Sequence, residues 1–191
     1  KGRMKQEKFT EQAQEALALS QQLVRQYQHN QWDVEHILLA LLQQEKGLVG
    51  DILQELGISA EAIKQQVSAV LDKSPKVSYE TPQIYATPRV AQVLEAAYAE
   101  AQRLKDEFVG TEHIFIAISS ADKGEAARIL KDFGITQESV YKALQKIRGS
   151  HRVTDARAES KYRSLAKYSR DLTDLARQGK LDPVIGRDEE I

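Results

Sequence analysis

Residues 33–42 read Asp33-Val34-Glu35-His36-Ile37-Leu38-Leu39-Ala40-Leu41-Leu42, and residues 111–118 read Thr111-Glu112-His113-Ile114-Phe115-Ile116-Ala117-Ile118. Each stretch opens with a polar turn and runs on apolar around nearly the whole helical wheel, which predicts the most buried helix of its surroundings. The two Glu-His-Ile triplets, Glu35-His36-Ile37 and Glu112-His113-Ile114, lie 77 residues apart. The same offset of 77 relates Thr10 to Thr87, Lys46-Gly47 to Lys123-Gly124, Ile52-Leu53 to Ile129-Leu130 and Gly57-Ile58 to Gly134-Ile135. It holds without a gap from residue 10 to 70, so one unit occurs twice, over 10–71 and 87–147. Two copies are too few for a solenoid. They predict one pseudo-twofold domain over 4–148, in which each half covers the apolar face of the other.

Working outward, each copy reads as four helices. Thr10 is an N-cap residue, and Ala13, Leu17, Val24 and Tyr27 then share a face. In the second copy Thr87-Pro88 places proline at the first helical position, where its missing N–H costs nothing. The third helix runs from about Gly47 or Gly124 to Leu56 or Phe133, with Gly57 and Gly134 suited to a left-handed stop just beyond it. Ser59 and Thr136 cap the fourth, with Glu61 and Glu138 in its first turn. Residues 72–86 hold two prolines and read as a loop between the copies. Residues 149–178 read as a polar linker with a short helix from about 160, carrying Leu165, Tyr168, Leu172 and Leu175.

Composition narrows the class. With only 4 Pro and 10 Gly among 191 residues, and no convincing strand alternation, the expected fold class is all-α. That is enough chain to bury a core without staples. Balanced charge, 27 Lys+Arg against 28 Asp+Glu, removes the electrostatic case for nucleic acid or an anionic membrane. No window of 18 apolar residues occurs and no secretory leader is seen. The absence of cysteine excludes disulfides, a thiol nucleophile and Cys-ligated metals, and fits the cytoplasm. Lys1-Gly2-Arg3 ahead of Met4 reads as a non-native scar.

No catalytic constellation is found: there is neither a G-x-x-x-x-G-K-[ST] phosphate loop nor a G-x-S-x-G elbow. Adjacent Glu and His on a helix point about 100° apart, so Glu35-His36 and Glu112-His113 are poor metal ligand pairs and no metal site is expected. They suit helix-start packing and capping. Glu35 and Glu112 also admit a sharper reading, as carboxylates at the edge of an apolar groove that meet a basic or peptide partner. Trp32, ahead of the Asp33 helix start, reads as a staple or core residue.

The duplicated unit with Glu-His at its second helix resembles the Clp N-terminal domain family. The tail is similar to the junction into the first ATPase module of ClpB-type AAA+ disaggregases. It reads Ala158-Glu159-Ser160-Lys161-Tyr162, Asp171-Leu172-Thr173 and Gly179-Lys180-Leu181-Asp182-Pro183-Val184-Ile185-Gly186-Arg187. The resemblance implies that 179–191 begins an AAA+ module, with Asp182, Pro183, Val184, Ile185 and Gly186 set against adenine only in a complete parent. It implies a hexameric, ATP- and Mg-dependent parent that threads aggregated polypeptide and works with a DnaK-type chaperone. This chain, itself not an enzyme, cofactor-free and monomeric, would be the substrate-docking domain. The family's important positions fall on Thr10, Asp106 and Glu112, with His113 beside them and a groove near Ala16, Leu94, Ala96 and Ala97. In ClpC-type relatives the carboxylates matching Glu35 and Glu112 receive phosphoarginine or adaptor groups, which supplies the alternative function.

Overall fold

The computed structural model describes residues 8–78 and 83–159. In chain order these form α1 (Glu11–Gln26), β1 (Gln31–Trp32), α2 (Val34–Gln43), α3 (Leu48–Leu56), α4 (Ala60–Lys73), β2 (Tyr85–Ala86), α5 (Pro88–Arg103), α6 (Thr111–Ser120), α7 (Glu125–Asp132) and α8 (Gln137–Arg148). The all-α class holds. The starts of α1 and α5, of α2 and α6, of α3 and α7, and of α4 and α8 each differ by 77 residues. The helix expected over 160–178 and the segment 179–191 lie outside the described residues.

Local chemistry sets the boundaries. Thr10 Oγ1 accepts from the Ala13 N–H at 3.1 Å, and Ser59 Oγ from the Ala62 N–H at 3.1 Å. Gly57 and Gly134 end their helices in left-handed turns, with φ of 73° and 79°. Thr87 departs from its expected role, because its hydroxyl leaves its own helix and donates to Asp33 Oδ1 at 3.0 Å. The strands, unforeseen in the sequence, are two residues each and too short to show alternation.

The copies interlock rather than sit side by side. Within each copy the first helix packs on the second, α1 on α2 and α5 on α6. Between copies α3 packs on α8, α4 on α7 and α2 on α6. The chain entering each first helix pairs with the chain entering the other copy's second helix. Trp32 aligns with Ala86 and Val109 with Phe9, both parallel. The Thr87 N–H donates to the Trp32 carbonyl at 3.0 Å and the Thr10 N–H to the Val109 carbonyl at 2.9 Å. Trp32 also donates its indole N–H to Ser20 Oγ at 2.8 Å and packs against the core, as its sequence position suggested.

A directed chain of neutral histidines anchors the start of α2. The Asp33 N–H donates to His36 Nδ1 at 3.0 Å, which leaves the proton on Nε2. His36 Nε2 lies 2.9 Å from His29 Nδ1, and His29 Nε2 lies 3.1 Å from the Leu71 carbonyl. The carbonyl can only accept, so each ring donates through Nε2 and neither can take a second proton without breaking a bond. Burial, with the neighbouring His29 adding to it, lowers His36 to about 4, and burial lowers His29 as well. A histidine depressed on folding stabilises the fold above its unfolded value of 6.5 and loses that contribution as pH falls toward its folded value. Stability measured by urea unfolding is therefore expected to fall by about 3 kcal/mol from this group between pH 7 and pH 4. His36→Asn, which cannot titrate, is expected to flatten that part of the profile; an unchanged slope would assign it elsewhere.

Candidate functional site

Two features stand out, an open groove and a buried polar cluster. The groove runs between α5 and the α6–α7 connection, with the first turn of α2 at its base. Its volume is about 500 Å³, and Val34, Val93, Ala96, Ala117, Ile118, Ala126 and Ala127 supply its apolar lining. Glu35, Arg89, Gln92, Asp122 and Lys123 supply the polar part. An adjoining hollow of about 750 Å³ shares Glu35, Arg89 and Lys123 and extends to Arg128 and Lys131.

The charges at its base are fixed by the interlock. Arg89 of α5 grips Asp33 through Nε at 3.1 Å and Nη2 at 2.5 Å. Burial would raise the Asp33 carboxyl, but Arg89, the Val34 N–H and the Thr87 hydroxyl outweigh it and hold it below the usual carboxylate range. Glu35 reaches across to accept the Ala126 N–H in the first turn of α7 at 3.0 Å. Burial, then the nearby Asp33, raises the Glu35 carboxyl. Glu35 is thus a largely buried carboxyl on the groove wall, tied to the other copy.

The second cluster occupies the equivalent place in the other copy, with different chemistry. The Gly110 N–H donates to His113 Nδ1 at 2.8 Å, repeating the Asp33–His36 contact. His113 Nε2–H donates to Asp106 Oδ2 at 2.7 Å, where the first copy has His29. Arg148, at the position of Leu71, donates through Nη2 to Asp106 Oδ1 at 2.6 Å and through Nη1 to Glu112 Oε2 at 3.3 Å. The Val153 N–H adds a bond to Asp106 Oδ1 at 2.8 Å. Burial acts against the Asp106 anion, yet His113, Arg148 and this amide hold its carboxyl below the usual range.

Residues 150–159 close over this cluster. The Glu107 N–H donates to the Val153 carbonyl and the Glu11 N–H to the Ala156 carbonyl, at 2.8 and 2.9 Å. Glu159 Oε2 accepts the Thr111 N–H at 2.6 Å and the Thr111 hydroxyl at 2.8 Å. Val153, Ala158 and Glu159 are buried. Residues 150–159 of the stretch read from sequence as a linker are therefore packed, because two small apolar side chains and one carboxylate find partners that no local pattern announces.

The structure separates the expected site residues. Ala96 is exposed on the groove wall, and Glu35 stands across from it. Leu94 is half-buried against the core, while Ala97 and Ala16 lie wholly inside it. Thr10, Asp106, Glu112 and His113 are gathered with Arg148 beneath the tail, all buried. Asp182, Pro183, Val184, Ile185 and Gly186 lie outside the described residues. Sequence reasoning passed over Asp33, Arg89, Arg148 and Glu159. A signal existed for the last of these: the offset of 77 sets Gly110, with no side chain, against the capping Asp33.

Three comparisons bear on identity. The family described as Clp repeat (R) N-terminal domain matches residues 8–133. The chain is 41% identical over 184 residues to "Chaperone protein ClpB 1" of Synechocystis, covering 96% of this chain and 20% of that protein. It thus spans about a fifth of the length of such relatives. The N-terminal domain of Hsp104 from Candida albicans superposes with a TM-score of 0.69 at 22% identity, over 80% of this chain and 99% of that one. A ClpV N-domain solved in complex with a VipB peptide superposes with a TM-score of 0.57 at 21% identity, over 72% of this chain and 85% of that one.

The buried ions make a direct test. Arg148→Leu copies the first repeat but leaves Asp106 and Glu112 buried without their cation, and is expected to cost about 3–5 kcal/mol. Adding Asp106→His, which restores the first repeat's pair, is expected to recover at least about half of that by urea unfolding. Additive losses in the double variant would show that the two copies are not chemically interchangeable.

Proposed function

The chain belongs to the Clp N-terminal domain family, and we propose that it docks exposed apolar segments of unfolded or aggregated polypeptides. The observation that carries this reading is the groove, apolar along Val93, Ala96, Ala126 and Ala127 and rimmed by Arg89, Gln92 and Lys123. A site of this kind takes apolar side chains without demanding one sequence, and its few polar groups hold the backbone of an extended segment. The ClpV relative whose solved complex contains a peptide supports peptide capture as a use of this fold.

The parent would be a homohexameric AAA+ disaggregase that uses ATP and Mg and cooperates with a DnaK-type chaperone in the cytoplasm. This chain would be its monomeric docking domain over 4–148, with 149–178 as tether and 179–191 opening the first ATPase module. A tether raises the local concentration of weakly captured substrate near the ring. Thr10, Asp106, Glu112 and His113 would act on substrate only indirectly, since all are buried and none lines the groove.

A second reading is supported by Glu35 alone. It stands beside Arg89 and Lys123, and a phosphoarginine would set its guanidinium against the carboxylate and its phosphate against the cations. Glu112, held by Arg148, is not part of that groove.

Ala96→Trp fills the groove from an exposed helix face. Its affinity for a permanently unfolded polypeptide, reduced and carboxymethylated α-lactalbumin, is expected to fall about tenfold, roughly 1.4 kcal/mol. Ala18→Trp, exposed on α1, is the control and should bind as the parent does. Equal binding by Ala96→Trp would overturn the groove as the site. For the second reading, calorimetry with free phosphoarginine should give heat that Glu35→Gln abolishes; no heat from the unaltered chain would remove it.

A further inference from the structure

Gly110 has no side chain where the first copy has Asp33, and the gap is filled from 49 residues downstream. In the first copy Asp33 Oδ1 accepts the Val34 N–H at 2.8 Å and the Thr87 hydroxyl at 3.0 Å. In the second, Glu159 Oε2 accepts the equivalent Thr111 N–H, and Glu159 bonds to the hydroxyl of Thr10, the equivalent of Thr87. Glu159 is therefore the N-cap carboxylate of α6, delivered by the tail. The fit is close. A Cβ added to Gly110 would collide with Glu112 Oε1 and stand 2.8 Å from Glu159 Oε2, so both carboxyls lie against one point of the backbone.

The two carboxyls leave one oxygen each without a hydrogen-bond partner, Glu112 Oε1 and Glu159 Oε1, both buried. Three buried carboxyls gather here: Asp106 and Glu112 pair with the guanidinium of Arg148, and Glu159 stands against Glu112. His113 adds no positive charge, since its Nδ1 accepts the Gly110 N–H. Of the other titratable or charged groups packed around the segment, Glu11 of α1 pairs with Arg157 of the segment at the surface, Lys8 lies over the Phe108 ring, His151 Nδ1 lies 2.9 Å from the Arg148 carbonyl and Arg152 donates to the Ser150 carbonyl. Asp155 accepts the Arg157 N–H. With every carboxyl ionised the buried site would be two charges negative, which is costly in a place shut off from water. One proton on Glu159 halves that excess to a single negative charge and makes Glu159 an O–H donor beside Glu112.

We infer that residues 150–159 form a proton-held clasp: protonated Glu159 caps α6 and seals the segment over Thr10, Asp106 and Glu112, and loss of that proton releases it. Burial, then the charge of Glu112, pushes the Glu159 carboxyl up to about 7, against the bonds from Thr10 and Thr111, which favour the anion. Free in solution the same carboxyl sits near 4.5. Docking thus takes up a proton between those values and weakens about tenfold per pH unit across that window, levelling off above it. Release frees ten residues, up to about 33 Å of extended chain, and lengthens the tether leading to the sequence beyond. The inference does not depend on what the groove binds.

Amide hydrogen exchange on the 191-residue chain tests it, read as protection factors so that the intrinsic pH dependence is removed. Protection of the Thr111 N–H is expected to fall at least tenfold between pH 5 and pH 8, with Val153 falling in step. Glu159→Gln keeps a carbonyl for Thr111 and offers N–H to Glu112, so its Thr111 protection should hold within about threefold over the same range. Glu159→Ala should leave Thr111 unprotected at both values while Leu38, in α2, stays protected. Constant protection in the unaltered chain, a parallel fall in Glu159→Gln, or full protection in Glu159→Ala would overturn the clasp. So would a fall at Ile116 matching that at Thr111, which would mean opening of the whole domain.

Discussion

Two ten-residue helices with no face for water dictate this architecture. Val34 through Leu42 in α2 and Thr111 through Ser119 in α6 are all buried. One copy of the unit cannot enclose such a helix, because its three other helices leave a side open. The second copy closes it. Hence α2 lies on α6, α3 crosses to α8, α4 crosses to α7, and the entering strands are exchanged. Removing either half would uncover a fully apolar helix, so the halves fold as one body.

Burial of both helix starts creates a second requirement: their first N–H groups need partners far from solvent. The two copies meet it differently on one backbone plan. The first uses Asp33, a pair of neutral histidines and a carbonyl. The second uses Glu159 from the tail, one neutral histidine, and an Asp106–Arg148 ion pair. Three positions differ between the copies: Asp106 stands for His29 and is met by Arg148, which stands for Leu71, while Gly110 stands for Asp33 and its missing carboxylate comes from Glu159. The first solution leaves Glu35, though largely buried, at the groove wall; the second draws Glu112 inward to Arg148. Near-symmetric backbone thus carries two chemically different helix starts.

Much of the fold was legible. The 77-residue offset located the eight helices, and Thr10, Ser59, Thr136, Gly57 and Gly134 marked boundaries because caps and left-handed stops are local events. The two-residue strands were not legible, since their pairing partners come from the other copy. The site was read less well. Ala96 and Glu35 do border the groove. Thr10, Asp106, Glu112 and His113 are instead buried beneath a segment whose polar composition resembles a linker. Arg148 carried no local pattern and Glu159 only a place in the junction motif; the role of each shows only beside residues 36 to 48 positions away.

The sequence by itself determined the duplication, the all-helical class and the burial of its two apolar helices. Periodicity, capping and the absence of cysteine act over a few residues and survive without knowledge of neighbours. Only the tertiary structure decided where the groove opens, which carboxylates are paired and how residues 150–159 pack over the domain. Those outcomes rest on burial and on charges brought together from distant parts of the chain. The energy of a buried carboxyl depends on what surrounds it in space rather than on what precedes it in sequence.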